Sequence, residues 1–285
     1  MDLFVLQFSS GLIKAMFLFL IASGLSLIFG VTRVINLAHG SFYMLGAYLL
    51  LPLSPLGFWS GLLLAPLAVA MLGGLVEVVL LRRLYRRGEL YVVLLTFALI
   101  LIVGDLTKLA WGTQFITVSG PVLLSGVVKV LGQDFPKYNL LILALGPMLA
   151  LGLWVVFYRT RWGLLVRAAA MDREMLGALG VDVRRLLTTT FIVGSWLAGF
   201  GGALSAPLVS LEPNMDASII MEAFSVVVIG GLGSFAGSLL GSVLIGELEA
   251  FGILVFPAIS LALIFGLMAV ILILRPWGLF GTPER

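Results

Sequence analysis

The sequence predicts an all-α, polytopic bundle of transmembrane helices with about eight or nine membrane segments, some of them short or broken. Of its 285 residues, 61% are hydrophobic and only 11% are charged, and the mean hydropathy is +1.19. A water-soluble domain needs more polar surface than this composition supplies. The apolar runs reach about 18 residues or more and lack the alternation of barrel strands, so the spans are expected to be helices.

Nine apolar stretches are candidates for membrane segments. The first lacks a basic region and a clear cleavage site, which indicates a retained helix and not a signal peptide. The second is only about 22 Å long as a helix, shorter than a hydrocarbon core of about 30 Å, and predicts a half-helix or a tilted span covered by protein. The seventh ends in glycines and is similarly interrupted. The nine stretches are 3–30, 37–51, 57–81, 90–111, 138–158, 188–209, 217–233, 238–255 and 257–274.

The distribution of basic residues predicts the orientation. Twelve of the 17 basic residues fall in three segments, which should all be cytoplasmic. Two membrane crossings between the first and second clusters, and four between the second cluster and the C-terminus, keep all three segments on one side. This arrangement places the N-terminus outside and the C-terminus inside. The loop at 112–137 lies outside and is too short to be a domain, so residues 1–285 form one membrane domain with a cytoplasmic loop at 159–187. The three clusters are Arg82, Arg83, Arg86 and Arg87; Arg159, Arg161, Arg167, Arg173, Arg184 and Arg185; and Arg275 and Arg285.

A polar stretch separates the first two apolar spans, between Gly24 and Tyr48. We call residues 36–43 within it the first break. Backbone N–H and C=O groups between two hydrophobic spans cannot face lipid, because they would have no hydrogen-bond partners. The first break must therefore be covered by protein, line a wet cavity, or form a turn at the membrane surface.

A glycine cluster at residues 230–234, the second break, interrupts another apolar stretch. Consecutive glycines weaken a helix, and interrupted membrane helices often expose backbone dipoles to a substrate. Glycines also recur at four-residue spacing from Gly233 through Gly237 to Gly241, which lets a second helix approach closely. A role in a translocation pathway and a role in packing both remain open on these residues.

Several charged residues lie within or near the apolar spans. A charge at the bilayer centre costs at least about 2.5–3.5 kcal/mol, so each is expected to face the bundle interior, a partner or an interface. For Glu77, Glu89, Asp105 and Lys108, positions near span ends favour contact with headgroups. The charges within or near spans are Lys14, Glu77, Asp105, Lys108, Glu222, Glu247 and Glu249.

In the cytoplasmic loop, residues 167–179 predict one short amphipathic helix that ends at Gly180. A helix lying on lipid would favour more Lys or Arg on its polar face, so the mixed charge fits docking into a groove of a soluble partner better. Its apolar side carries Ala168, Met171, Met175, Leu176 and Leu179, and its polar side carries Asp172, Arg173 and Glu174.

Missing residue types and motifs limit the chemistry. The absence of cysteine excludes disulfides and thiol catalysis, and a single histidine leaves few routes to a metal centre. No phosphate-binding loop and no Gly-x-Ser-x-Gly turn are present, which disfavours ATP binding of that kind and an intramembrane hydrolase. The pI near 9.4 reflects topology and does not indicate nucleic-acid binding. No metal or cofactor is expected on this chain.

Three motifs resemble one family. They are VINLAHGSFYMLGAY at 34–48, RAAAMDREMLGALGVDVRRLLTTTF at 167–191, and AFSVVVIGGLGSFAGSLLGSVLIG at 223–246. In this order they are similar to the permease subunits of branched-chain amino acid ABC importers. Ser41 and Glu222 depart from the residues that many relatives carry, and urea and short-chain amide permeases share the motifs, so the substrate stays open.

The resemblance implies a non-enzymatic permease in the cytoplasmic membrane of a bacterium or archaeon. Its partners would be two cytoplasmic ATPases, which use ATP, a second homologous permease and an external solute-binding protein. The rival is a self-sufficient secondary transporter, which would need buried acids such as Glu222, Glu247 and Glu249. The two breaks are expected to face each other across the pathway, with substrate-pathway residues Asn36, His39, Gly40, Ser41, Tyr43, Gly230, Gly231, Gly233 and Ser234. The expected ATPase-coupling residues are Ala168, Asp172, Arg173, Met175, Leu176 and Gly180.

Overall fold

A computed structural model describes residues 2–85, 87–130, 133–255 and 257–281. Within these ranges the chain is helical apart from loops and one short hairpin, which confirms the predicted all-α class. Six helices are long and apolar enough to cross a membrane, and a shorter apolar one lies at Ala262–Leu274. Arg86 and Arg285, members of the predicted basic clusters, lie outside the described residues. The protein is a multi-pass helical membrane protein.

The helices follow the apolar stretches closely. The predicted half-helix is the short α2, and a one-turn π-helix at Glu77–Leu81 continues the fourth helix. The first six helices are α1 (Asp2–Thr32), α2 (His39–Tyr48), α3 (Leu50–Leu53), α4 (Phe58–Val76), α5 (Arg82–Leu84) and α6 (Glu89–Trp111). The others are α7 (Lys137–Arg159), α8 (Arg161–Met171), α9 (Arg173–Ala178), α10 (Val183–Ser205), α11 (Met215–Gly230), α12 (Phe235–Val255) and α13 (Ser260–Leu274).

Helix α1 forms the centre of the bundle. Its 31 residues span about 46 Å, and its aliphatic and small residues cover all sides, which is the pattern of a buried helix. Leu18, Phe19 and Ile21 are fully enclosed. Helix α1 packs against α10 and α12, and α10 in turn packs against α2 and α4. Helices α6 and α7 lie at the periphery, and only 22% and 17% of their most apolar segments are buried.

Glycines allow the central helices to touch through their backbones. A Cβ atom placed on Gly202 of α10 would lie 1.9 Å from the carbonyl oxygen of Tyr43 on α2. A Cβ atom on Gly46 of α2 would lie 2.1 Å from the carbonyl oxygen of Gly199. Any side chain at these two positions would push α2 away from α10, so glycine fixes the distance between the helices.

The loop between α6 and α7 contains a hairpin that the sequence analysis did not predict. Strands β1 (Val127–Val130) and β2 (Gln133–Pro136) pair antiparallel, with Val128 opposite Phe135. A separate β-bridge joins Ile116 to Leu211 and ties this loop to the segment between α10 and α11. Both connections therefore lie together at one end of the bundle.

The prediction of one helix over 167–179 was wrong, because the chain breaks at Asp172. This residue has an extended backbone (φ −151°), and its side chain accepts hydrogen bonds from the N–H groups of Glu174 and Met175, both at 2.9 Å. Asp172 thus caps α9 and separates it from α8. Gly180 has φ +83° and follows the last turn of α9, which confirms the predicted helix end.

The expectation that Glu77 reaches lipid headgroups was also wrong. Its carboxylate is fully buried and accepts hydrogen bonds from Arg82 Nη2 at 2.9 Å and Thr188 Oγ1 at 2.8 Å. Glu77 therefore joins the end of α4 to α10 inside the protein. Asp105 and Lys108 instead form an exposed pair with a nitrogen–oxygen distance of 3.1 Å, as expected for charges near a span end.

Candidate functional site

The first break turns back into the bundle. Arg33 has φ 55°, a left-handed conformation that is uncommon for a residue other than glycine, and it reverses the chain after α1. His39 Nε2 then lies 3.1 Å from the carbonyl oxygen of Ile21, which is about 16 Å back along α1 from Thr32. Asn36 and His39 are both buried. Of the three options for this stretch, the structure thus places it under a cover of protein.

Polar contacts tie α2 to the neighbouring helices. Ser41 Oγ donates to Asp216 Oδ2 at 2.8 Å, and Tyr43 O–H donates to Ser205 Oγ at 2.6 Å. Sequence reasoning missed Asp216 and Ser205. Asp216 carried one weak signal, an acidic residue in the first turn of a helix, where the positive end of the helix dipole favours it. Its pairing with Ser41 spans 175 residues of sequence and gives no local signal.

Several buried polar atoms near the first break have no hydrogen-bond partner among the described residues. They are both amide atoms of Asn36 and His39 Nδ1. A buried donor or acceptor that stays unpaired costs about 1–3 kcal/mol. These atoms therefore leave hydrogen-bonding capacity for water or a polar solute inside the bundle.

The second break combines packing and backbone exposure. A Cβ atom on Gly230 would lie 2.2 Å from the carbonyl oxygen of Gly237, so α11 and α12 meet there backbone to backbone. Gly231 has φ +103° and faces the backbone of Gly281. Gly233 has φ +81° and faces Gly30 near the end of α1. A cavity of about 260 Å³ lies beside the second break, and Gly233 and Ser234 help to line it.

The two breaks contact α1 at different positions along its length. The first contacts α1 at Ile21, and the second contacts it at Gly30. Nine residues of helix separate these positions by about 14 Å. The predicted pathway residues thus form two groups along the central helix.

The loop at 159–187, which is predicted to be cytoplasmic, exposes a row of large apolar side chains. Met171 is 83% exposed, Met175 59% and Leu179 74%. Leu176 is only 6% exposed and packs into the core, so it cannot present its side chain to another protein as predicted. Among the other predicted coupling residues, Asp172 caps α9, Ala168 and Arg173 are half-buried, and Gly180 follows α9.

Arg33 connects this loop to the first break. Its Nη2 atom donates to the carbonyl oxygens of Ala170 at 3.1 Å and Met171 at 3.4 Å. These carbonyls belong to the last turn of α8, where oxygens lack helical partners and attract cations. The turn between α1 and α2 is thus hydrogen-bonded to α8, whose last residue, Met171, is the first residue of the exposed apolar row.

Three charged side chains meet between α1, α11 and α12. Lys14 Nζ lies 2.9 Å from Glu222 Oε2 and 2.9 Å from Glu249 Oε1. The nearby Glu247 packs against Gly11, and both its carboxylate oxygens lack a hydrogen-bond partner among the described residues. One cation for two paired acids links α1, α11 and α12. Over the described ranges, no group of three or more His, Asp or Glu residues could hold a metal ion.

These features define a polytopic helical membrane protein with buried polar breaks, a class to which transport proteins belong. Comparison with known proteins gives the family. Residues 7–273 match the family described as branched-chain amino acid transport system / permease component. This match spans most of the sequence, and the chain belongs to that family. The family is a transport permease, which points away from enzymatic activity.

Individual relatives cover nearly the same range. The chain is 29% identical to the high-affinity branched-chain amino acid transport system permease protein BraD of Pseudomonas aeruginosa, over 93% of this chain and 92% of that protein. It is 26% identical to LivH of Escherichia coli K12, over 93% of this chain and 91% of LivH. It is 28% identical to LivM of the same strain, over 90% of this chain and 66% of LivM. No solved structure matches the chain.

Proposed function

We propose that this chain is the translocation subunit of an ABC importer for branched-chain or other hydrophobic amino acids. The observation that carries the proposal is the family match over residues 7–273. Relatives described as branched-chain amino acid permeases, which align over about nine-tenths of the chain, support the same substrate class. The chain itself acts without a catalytic residue, a metal or a bound cofactor.

The pathway in this proposal includes both breaks. The buried and unpartnered polar atoms of Asn36 and His39 supply hydrogen bonds at mid-bundle, where an amino acid must exchange its water shell for protein contacts. Gly233 and Ser234 line the cavity at the end of α1. A solute would pass the two groups in succession along α1. Affinity is assigned to the external binding protein, so contacts within the permease are weak.

ATP hydrolysis in the proposal occurs on two cytoplasmic ATPases that dock on α8 and α9. The exposed row of Met171, Met175 and Leu179 supports this assignment, because contiguous apolar residues outside lipid mark protein contact sites. A second, homologous permease completes the membrane part. The N-terminus lies outside and the C-terminus lies in the cytoplasm, as the basic residues predict.

Reconstitution tests the function. The chain would be assembled in proteoliposomes with the ATPases, second permease and binding protein encoded by neighbouring reading frames. We expect ATP-dependent uptake of radiolabelled leucine that stops when the binding protein is omitted. Uptake of urea or acetamide in preference to leucine would establish the amide-permease alternative. Leucine uptake driven by an ion gradient without ATP would establish a secondary transporter and refute the proposal.

A matched pair of variants tests the docking surface. Glutamate at both Met175 and Leu179 places charge in an apolar contact, so co-purification of the ATPases should fall at least tenfold. The control is Leu123→Glu, because Leu123 is also exposed, in the loop between α6 and α7, which is predicted to lie outside. Unchanged ATPase association in the double variant would refute the docking assignment.

A further inference from the structure

The cavity beside the second break lies between the permease core and the proposed docking helices. It is bordered by α1, the end of α7, α8, the second break and the segment after α13, and its volume is about 260 Å³. This volume is close to the lower limit of small-molecule sites, which suits a ligand of amino-acid size. Its polar lining side chains come from α1, α7, α8 and the second break: Ser23, Ser26, Tyr158, Arg167 and Ser234.

Arg167 gives the cavity a fixed positive charge. Its Nη1 atom donates to the carbonyl oxygen of Phe157, and its guanidinium carbon lies 4.9 Å from the ring centre of Tyr158. Among the described residues, no carboxylate forms an ion pair with Arg167. Arginine has five N–H donors in a planar fork that matches a carboxylate. The side chain is therefore held in place while most of its donors stay available.

Serine hydroxyls lie on the same cavity wall. Ser26 is buried, and its Oγ atom has no partner among the described residues. Ser23 Oγ already donates to Leu20, which leaves its oxygen free to accept a hydrogen bond. Ser234 Oγ accepts from the N–H of Gly237, which leaves its O–H free to donate. The cavity thus combines donors for an anion with an acceptor for a cation.

The remaining wall is apolar. Leu27 and Val31 of α1, Phe157 of α7 and Phe235 of α12 contribute to it. An aliphatic side chain would bury its surface there at a gain of roughly 25 cal/mol per Å². One cavity therefore offers a cationic fork, hydroxyl groups and an apolar surface.

We propose that this cavity binds the transported amino acid through its carboxylate, with Arg167 as the binding residue. This inference rests on the proposed function. Arg167 would accept the carboxylate in a bidentate contact, Ser26 would donate to it, and Ser23 would accept from the ammonium group. Because Arg167 lies on α8, movement of α8 by a docked ATPase would change the position of the carboxylate-binding group. The site would thereby couple ATPase motion to solute release.

Thiol chemistry can test the charge of the cavity, because the chain has no cysteine. A Ser234→Cys variant would be modified by two methanethiosulfonate reagents, one anionic and one cationic. Relative to a Leu179→Cys control on the exposed loop, the cavity thiol should prefer the anionic reagent. Replacing Arg167 with glutamine should lower this preference about tenfold, whereas Arg167→Lys should keep most of it. No preference in folded Ser234→Cys protein would overturn the proposal.

Protection by ligand tests the solute class. Leucine at about 20 mM should slow modification of the Ser234→Cys variant at least threefold, and leucinamide, which lacks the carboxylate, should not. Adding Ser26→Ala should weaken the protection, and adding Arg167→Gln should abolish it. Equal protection by leucine and leucinamide would overturn the inference. So would the absence of protection in a chain whose assembly imports leucine.

Two further outcomes separate this inference from the proposed function. If the assembly imports urea or acetamide, the proposed function fails, although the reagent preference still reports the charge at Arg167.

The carboxylate of Glu284 is a possible competitor for Arg167. Glu284 lies outside the described residues but close in sequence to Gly281, which lines the cavity. A Glu284→Gln variant is therefore measured in parallel. Anion preference that appears only in that variant would show that the chain's own carboxylate fills the site, which would refute the proposal.

Discussion

Replacing Lys14 with methionine tests the three-charge cluster between α1, α11 and α12. The change removes the ammonium that lies 2.9 Å from Glu222 and 2.9 Å from Glu249. Because both carboxylate oxygens contact the same nitrogen, they lie at most 5.8 Å apart, twice that distance. At an effective dielectric constant of about 20, their repulsion is about 3 kcal/mol. Breaking a buried ion pair costs about 3–5 kcal/mol.

Partial exposure lowers the expected cost. The three side chains are 33%, 15% and 21% exposed for Lys14, Glu222 and Glu249. We therefore expect Lys14→Met to reduce the free energy of unfolding by about 2–3 kcal/mol. For a chain of this size, this corresponds to a fall of about 3–5 °C in the midpoint of thermal unfolding. Size-exclusion chromatography of heated, detergent-solubilised protein measures that midpoint.

A charge-free variant decides whether the cluster is structural. Combining Lys14→Met with Glu222→Gln and Glu249→Gln removes the repulsion, so most of the lost stability should return. The reconstituted assembly should then import leucine at close to the parental rate. A triple variant as unstable as the single one would refute the electrostatic explanation. A stable triple variant that no longer transports would show that the acids act in transport, as the rival secondary transporter requires.

Three other predictions follow from the packing and the topology. Gly202→Ala places a methyl group against a carbonyl of α2 and should cost about 1–3 kcal/mol of stability in the same thermal assay, whereas the control Gly152→Ala, with no atom within 4 Å of the new Cβ, should be neutral. Arg33→Gln removes the hydrogen bonds to α8, so leucine uptake per ATP hydrolysed should fall several-fold; unchanged stoichiometry would contradict a coupling role. Single cysteines at Gly126 and Asp172 should react with impermeant reagents from outside and from the cytoplasm, respectively; labelling of Gly126 from the cytoplasm alone would overturn the orientation.

Helix positions could be predicted from the sequence because an apolar segment in a membrane must pair its own backbone N–H and C=O groups, and a helix does so locally. The short stretch at 37–51 appears as α2 and α3, and the glycine-broken stretch at 217–233 appears as α11. The break at Asp172 could not be read in the same way. Residues 167–179 carry a continuous helical pattern. Only the hydrogen bonds that the Asp172 side chain accepts from the N–H groups of the next turn show that the residue caps a new helix instead of continuing the old one.

The candidate site was predicted only in part, because its contacts join distant segments. The first break was identified from its polar residues, but the partners Asp216 and Ser205 belong to other helices. Met175 and Leu176 are neighbours of similar hydrophobicity, yet one faces solvent and the other fills the core. Their difference depends on how α9 is oriented against the bundle, which the local sequence pattern does not specify.

The glycine contacts between central helices have a mechanical consequence. Where backbones touch, at Gly46 against Gly199 and at Gly230 against Gly237, no layer of side chains can rearrange as one helix slides past another. Shear motion of these helices would drive main-chain atoms into each other. The helices α1, α2, α10, α11 and α12 should therefore move as one rigid block. In the proposed importer, alternating access would then come from hinge motion of this block against the second permease, with the loops at its ends as the flexible parts.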